Sequence, residues 1–218
     1  MFKHVALALT LAVAPFTSFA AQFVEGQHYV QVSNQVAPSE PKVSEYFSFY
    51  CHNCYNMETQ YLPFIKSHIN KDVAFENKHV DFMNSDIGTE VMRSLAVMNE
   101  SDKKHELTLA MFAAIQGSDD GHHDHGSHGH KHESKINSRD DIKKVFAEYG
   151  IDGAAYDKAA DSEATNATIS KWRQEQVMFR IQSVPSFLVN DKYLVNMSEM
   201  RSLEQMVELI NYLALEKK

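Results

Sequence analysis

The chain has 218 residues, 44% of them hydrophobic, and a formal net charge of −8. That length can bury a real hydrophobic core, as one domain or as one domain carrying an insertion. The acidic balance argues against nucleic acid as a partner.

Residues 1–20, MFKHVALALTLAVAPFTSFA, open with Lys3, run through an apolar stretch from Val5 to Phe16 and end on Ser18-Phe19-Ala20. A basic start, a short apolar run and small residues at the last and third-last positions predict a secretory signal peptide cleaved after Ala20. The run is too short to span a bilayer. No later stretch is long and apolar enough for an anchor, so the expectation is a soluble exported protein in a compartment where disulfides persist.

HYVQV (28–32) predicts a short strand. Beyond Pro38 and Pro41, VSEYFSFY (43–50) is rich in β-branched and aromatic residues and predicts a buried strand. Within it Glu45 alternates with Val43, Phe47 and Phe49, so it shares their apolar face. Two readings of Glu45 stand: an edge-strand carboxylate in contact with water, or a buried acid that holds its proton more tightly.

Both cysteines of the chain, Cys51 and Cys54, follow that strand at once. The segment YNMETQYLPFIKSHI (55–69) then has helical apolar spacing, and Pro63 predicts a kink in it. VAFENKHV (73–80) predicts the next strand. A Cys-x-x-Cys pair can be a staple, half of a metal site or a redox centre. As a staple it would stabilise by only about 2 kcal/mol, and a structural zinc site needs four ligands. Haem attachment needs His directly after the second Cys, where Tyr55 stands. At a strand-to-helix junction the free N–H groups and dipole of the first turn stabilise a thiolate at Cys51. Cys51 is therefore the candidate exposed nucleophile, and Cys54, one turn in, the resolving thiol.

From residue 84 to about 168 the pattern is helical: GTEVMRSLAVM, KHELTLAMFAAI and SRDDIKKVFAEYG, the last with Ser138 as N-cap and Gly150 as its stop. Between the second and third lies GSDDGHHDHGSHGHKHES (117–134), a flexible low-complexity loop by composition. Its Asp124 and six histidines, His122, His123, His125, His128, His130 and His132, are candidate ligands for Zn, Cu or Ni, adventitious or functional. Strand signals return at SFLVNDKYLVN (186–196), a hairpin around Asn-Asp. A final helix starts near Ser202, with Gln205 completing a capping box.

EYFSFYCHNCYNME, HVDFM (79–83) and SVPSFLVNDKY (183–193), with the opening AQFVEGQHYV and the closing helix, resemble the DsbA family of periplasmic thiol oxidases. The resemblance implies an α/β thioredoxin fold, a mixed sheet flanked by helices, interrupted by an all-helical insertion domain. The thioredoxin-like parts would be 21–83 and 169–218 and the insertion 84–168. It implies a thiol:disulfide oxidoreductase with no cofactor beyond a Cys51–Cys54 disulfide. That disulfide would be donated to exported polypeptides in the periplasm and restored by a DsbB-like membrane quinone reductase, the enzyme itself being a monomer with a hydrophobic groove for substrate. Val184-Pro185 matches the family's cis-proline loop, where main chain beside Pro185 would bind extended substrate. The match gives Glu45 a role in proton transfer at the cysteines. His52-Asn53 departs from the family's Pro-His. His52 could still offer a positive charge or N–H to Cys51, and Asn53 an amide donor, so a weaker oxidant than the strongest members is expected. The alternatives are a periplasmic metal-binding protein using the His-rich loop and the cysteines, and a reductase or isomerase of the same fold. Family isomerases carry a separate dimerisation domain, for which few residues precede the first strand.

Overall fold

A computed structural model describes residues 23–117 and 134–217. The expected signal peptide (1–20) and the six loop histidines lie outside the described residues.

Five strands form one mixed sheet: β1 (Tyr29–Gln31), β2 (Lys42–Phe47), β3 (Ala74–His79), β4 (Ser186–Val189) and β5 (Tyr193–Val195). Their order is β1-β5-β4-β2-β3, with β2 and β3 parallel and the other pairs antiparallel. β2 thus runs through the interior, with β3 on one side and β4 on the other. Its register sets Glu45 opposite both Asn77 and Phe187. On this face Val43, Phe187 and Val189 pack under α2 (Leu62–His68) and the C-terminal α8 (Leu203–Asn211). Tyr46, Leu188 and Val80 lie on the other face with Phe179 and Ile181.

Local signals place most elements. Asn190 and Asp191 both take φ of 52°, the left-handed pair that closes the β4–β5 hairpin. Ser202 caps α8 by accepting from Gln205 N–H, while the Gln205 side chain accepts from Arg201 N–H, one residue before the expected partner. The helix after the cysteines, α1 (His52–Asn56), does not simply kink. It passes through a π turn, Met57–Tyr61, into α2. Leu62 N–H bonds back to the Met57 carbonyl, and Pro63, which has no N–H to offer, follows at once.

Between β3 and β4 come α3 (Asp86–Met98), α4 (Lys104–Gln116), α5 (Arg139–Glu148), α6 (Gly153–Ala160) and α7 (Glu163–Met178). Ser85, Ser138, Asp152 and Ser162 cap four of them through side-chain oxygens. Gly88, in the first turn of α3, lies against the Asp81 carboxylate, where a Cβ would come within 2.3 Å of Oδ2. Asp81 also accepts from Met83 and Ser85 N–H, which folds the HVDFM segment back onto α3. The helical pattern read to about residue 168 continues in α7 to Met178, and the sheet resumes at Ser186, where strand signals were expected. The core of this helical block (Val91, Leu95, Phe112, Phe146, Trp172) is continuous with Phe47, Phe49 and Cys54. The cysteine pair therefore sits at the seam between sheet and block.

On the opposite face α7 is tied to the sheet by a buried ion pair, Lys78 Nζ donating to Glu175 Oε2 at 2.7 Å. Removing Glu175 leaves Lys78 only the part-exposed Glu76 carboxylate, at 3.4 Å. The cost should therefore sit at the low end of the range of about 3–5 kcal/mol for a broken buried pair. Glu175→Leu should lower the unfolding free energy by about that amount in urea titration, and Lys78→Met/Glu175→Leu should recover most of it. A double variant no more stable than Glu175→Leu would contradict this.

Candidate active site

Strand β2 ends at Phe47, and Ser48, Phe49 and Tyr50 bring the chain to Cys51. Phe49 is held at both main-chain groups by side chains. His79 Nε2 accepts its N–H at 3.1 Å and Gln116 Nε2 donates to its carbonyl at 2.7 Å. His79 is fully buried, and burial lowers its pKa from 6.5 to about 3, so the ring is neutral and its proton sits on Nδ1. The Phe49 ring stacks on it at 5.4 Å.

Cys51 is the N-cap residue of α1, and its Sγ accepts the Cys54 N–H at 3.2 Å. This is the bond that a serine or aspartate oxygen makes at an ordinary helix start. Across the seam the Cys51 thiol donates to the Val184 carbonyl at 3.4 Å, and the Val184–Pro185 peptide bond is cis. Cys51 is partly exposed and Cys54 is buried. Burial pushes the Cys54 thiol pKa far up, the hydrogen bond with Cys51 adds to it, and the Glu45 charge contributes.

His52 and Asn53 are both exposed, and among the described residues neither side chain bonds to Cys51. The His52 ring lies near Tyr55, at 6.5 Å. The expected side-chain donors are thus replaced by backbone: an N-cap acceptor is satisfied from the third residue of the helix, and the intervening side chains project outward.

Glu45 is 2% exposed, so the water-contact reading does not hold. Burial first, and then the Glu58 carboxylate, raise its pKa to about 8. Lys66, Lys104 and a 2.6 Å hydrogen bond from Asn77 Nδ2 oppose the rise. Asn77, His79, Lys104 and Gln116 are site residues that sequence reading missed. HVDFM was in view, but which side chains meet depends on the β2–β3 register and on where α4 docks.

A backbone donor at the nucleophilic sulfur, a buried second thiol and a titratable acid behind it suit thiol–disulfide exchange rather than a passive staple. The model of the family described as DSBA-like thioredoxin domain matches residues 42–210. The chain belongs to that family. It is similar to the thiol:disulfide interchange protein DsbA of Haemophilus influenzae, 33% identical, covering 89% of this chain and 88% of that one. DsbA of Escherichia coli strain K12 is 28% identical over 99% of this chain and all of its own. Among solved structures, the disulfide oxidoreductase DsbA from Proteus mirabilis superposes with a TM-score of 0.71 at 26% identity, covering 90% of this chain and 100% of that one. A complex of Proteus mirabilis DsbA with a non-covalently bound peptide gives 0.73 at 25% identity, covering 89% and 99%. The fold is the thioredoxin fold with a helical insertion, and the protein is a thiol:disulfide oxidoreductase whose redox group is a cysteine pair. The metal-binding alternative is not favoured by these relatives.

Glu45 makes stability depend on pH. An acid with a folded-state value of about 8 against an ordinary 4.5 binds its proton more tightly when folded. Stability should therefore fall as pH rises from about 4.5 to 8, by up to about 5 kcal/mol. Glu45→Gln should flatten urea midpoints of the reduced protein across that window and gain most at pH 8. Parallel wild-type and variant curves would contradict the burial of an ionisable acid here.

Proposed function

We propose that the enzyme works as a periplasmic oxidase, donating a Cys51–Cys54 disulfide to exported polypeptides. The observation that carries the reading is the environment of Cys51 Sγ, held between the Cys54 N–H at 3.2 Å and the Val184 carbonyl at 3.4 Å. A donor there favours a thiolate leaving group, which makes the disulfide oxidising.

In the proposed cycle a substrate thiolate attacks Cys51 Sγ, and the Cys51–Cys54 bond breaks. Cys54 leaves as a thiolate and takes a proton, with Glu45 as the nearby acid. A second substrate thiolate then attacks the substrate sulfur of the mixed disulfide and releases Cys51 as a thiolate. Substrate gains one disulfide, and two electrons stay on the enzyme as a dithiol. A membrane quinone reductase of the DsbB kind removes them. Main chain at Val184 and Pro185 pairs with the extended substrate; the non-covalently bound peptide of the Proteus mirabilis relative supports a peptide as the substrate class. Tyr50, Phe82 and Met83 are exposed, and Tyr50 lies within reach of the Asp81 charge, which puts them in one neighbourhood next to Cys51. They offer an apolar rim for an unfolded chain.

The remaining assignments belong to the same proposal. Residues 1–20 are a signal peptide, the thioredoxin-like domain is 21–83 and 169–218, and the insertion (84–168) shares its core with the cysteine region in a monomeric enzyme. His52 and Asn53, exposed beside the nucleophile, contribute less to its thiolate than the backbone does. The histidines at 122, 123, 125, 128, 130 and 132 capture zinc, copper or nickel apart from catalysis. Deleting 119–132 should abolish zinc and copper binding in calorimetry and leave oxidase activity intact; unchanged binding would remove the metal assignment.

Equilibration with glutathione should give a potential well above the thioredoxin value of about −270 mV. Cys54→Ser should trap a Cys51 mixed disulfide when mixed with a disulfide-bonded substrate peptide, whose other sulfur leaves as a thiolate, and Cys51→Ser should not. A potential near that of thioredoxin would overturn the oxidase direction.

A further inference from the structure

Lys104 is half-buried on α4, in the helical block, and its Nζ donates to Asn77 Oδ1 at 3.1 Å. The other end of the same amide, Nδ2, donates to Glu45 Oε2 at 2.6 Å. Asn77 is buried, and the β2–β3 register holds it directly opposite Glu45. A single amide therefore joins a cation on the helical block to a buried acid on the sheet. An amide whose oxygen accepts from an ammonium becomes a stronger donor at its nitrogen, because chained hydrogen bonds polarise one another.

Other charges act on Glu45 beside this route, but among the described residues none of them acts through Asn77. Glu58, on the π turn, adds negative charge against Glu45, and Lys66, on α2, adds positive charge. Cys54, on α1, is the thiol that the Glu45 charge reaches. Glu58 faces His105 at 3.4 Å. Beside the amide lies a cavity of about 470 Å³ lined by Glu58, Lys66, Asn77, Lys104 and His105, among others. It brings solvent close to Asn77 and Lys104.

We propose that Lys104, acting through Asn77, is a positioning residue that tunes the proton affinity of Glu45 so that Glu45 can take the Cys54 proton when the disulfide re-forms. The inference rests on the reading of Glu45 as the acid–base group for Cys54. Glu45 must give a proton when the disulfide opens and accept one when it closes. A value near the working pH serves both directions, and burial alone would carry Glu45 past it. During closure of a Cys51–glutathione mixed disulfide, the Cys54 thiol passes its proton to Glu45 and its sulfur attacks Cys51 Sγ. Glutathione leaves as a thiolate; one disulfide breaks and one forms.

The test is the rate of glutathione release from that mixed disulfide, followed by stopped flow from pH 5.5 to 10. Lys104→Met removes the cation, and Glu45 then holds its proton more tightly. An opposite charge acting through one intervening amide corresponds to about one pH unit, the low end of direct pairs. The midpoint of the pH profile should rise by that amount, closure at pH 7 should slow about tenfold, and the alkaline plateau should stay where it was. Lys104→Arg should keep the wild-type midpoint, and Glu45→Gln should lose the step. A merely structural role for Lys104 would lower the plateau and leave the midpoint unmoved. That result, with the step still lost in Glu45→Gln, overturns the Lys104 inference and keeps the reading of Glu45. A step that survives in Glu45→Gln overturns the reading itself.

Discussion

The hydrogen bond from Cys54 N–H to Cys51 Sγ depends on nearly every long-range feature of the chain. It forms only if Cys51 stands at the N-cap of α1, and α1 can start there only if β2 delivers the chain to that point. β2 is buried along almost its whole length, between a parallel neighbour and an antiparallel one. Phe49 is then held by His79 from β3 and by Gln116 from α4, so sheet and helical block both fix the approach to the nucleophile. The β4 side contributes the Val184 carbonyl. Three parts of the chain far apart in sequence converge on one sulfur atom.

Behind that sulfur the same burial works against ionisation. Cys54 is buried in the helical core, which penalises its thiolate, whereas Cys51 meets a helix start and partial solvent. Two thiols three residues apart thus have opposite electrostatic environments, and their chemical roles separate without any metal or cofactor between them. Glu45 is the counterpart on the sheet: a carboxylate that the fold prefers to keep protonated, close enough for its charge to reach Cys54. Burying such a group costs stability at neutral pH, and strained or costly groups of this sort tend to mark functional sites.

What could be read from sequence was local or periodic. The cysteine pair sits where a strand pattern gives way to a helix pattern. The β4–β5 turn follows from Asn190-Asp191, and the caps at Ser138 and Ser202 from hydroxyls ahead of apolar runs. Glu45 was readable as an acid on an apolar face, but its partners were not. Asn77 meets it only through a parallel register, and Lys104 comes from a helix whose docking no local signal states. Pro63 announced an interruption, yet the choice of a π turn over a bend depends on how Met57 and Leu62 pack. Helical character was read only to about residue 168 because the apolar residues of α7 are few and scattered, which blurs the helical period. At His52-Asn53 the expectation favoured side-chain donors, and the structure uses the helix backbone.

If the helix start stabilises the Cys51 thiolate by more than the ~2 kcal/mol that closing the Cys-x-x-Cys loop supplies, the disulfide destabilises the fold, since redox and folding equilibria form one thermodynamic cycle. Unfolding free energies of the oxidised and reduced protein, measured in guanidinium at pH 7, test this directly. The reduced protein should be the more stable form, against the usual effect of a disulfide. An oxidised form that is more stable would contradict the account.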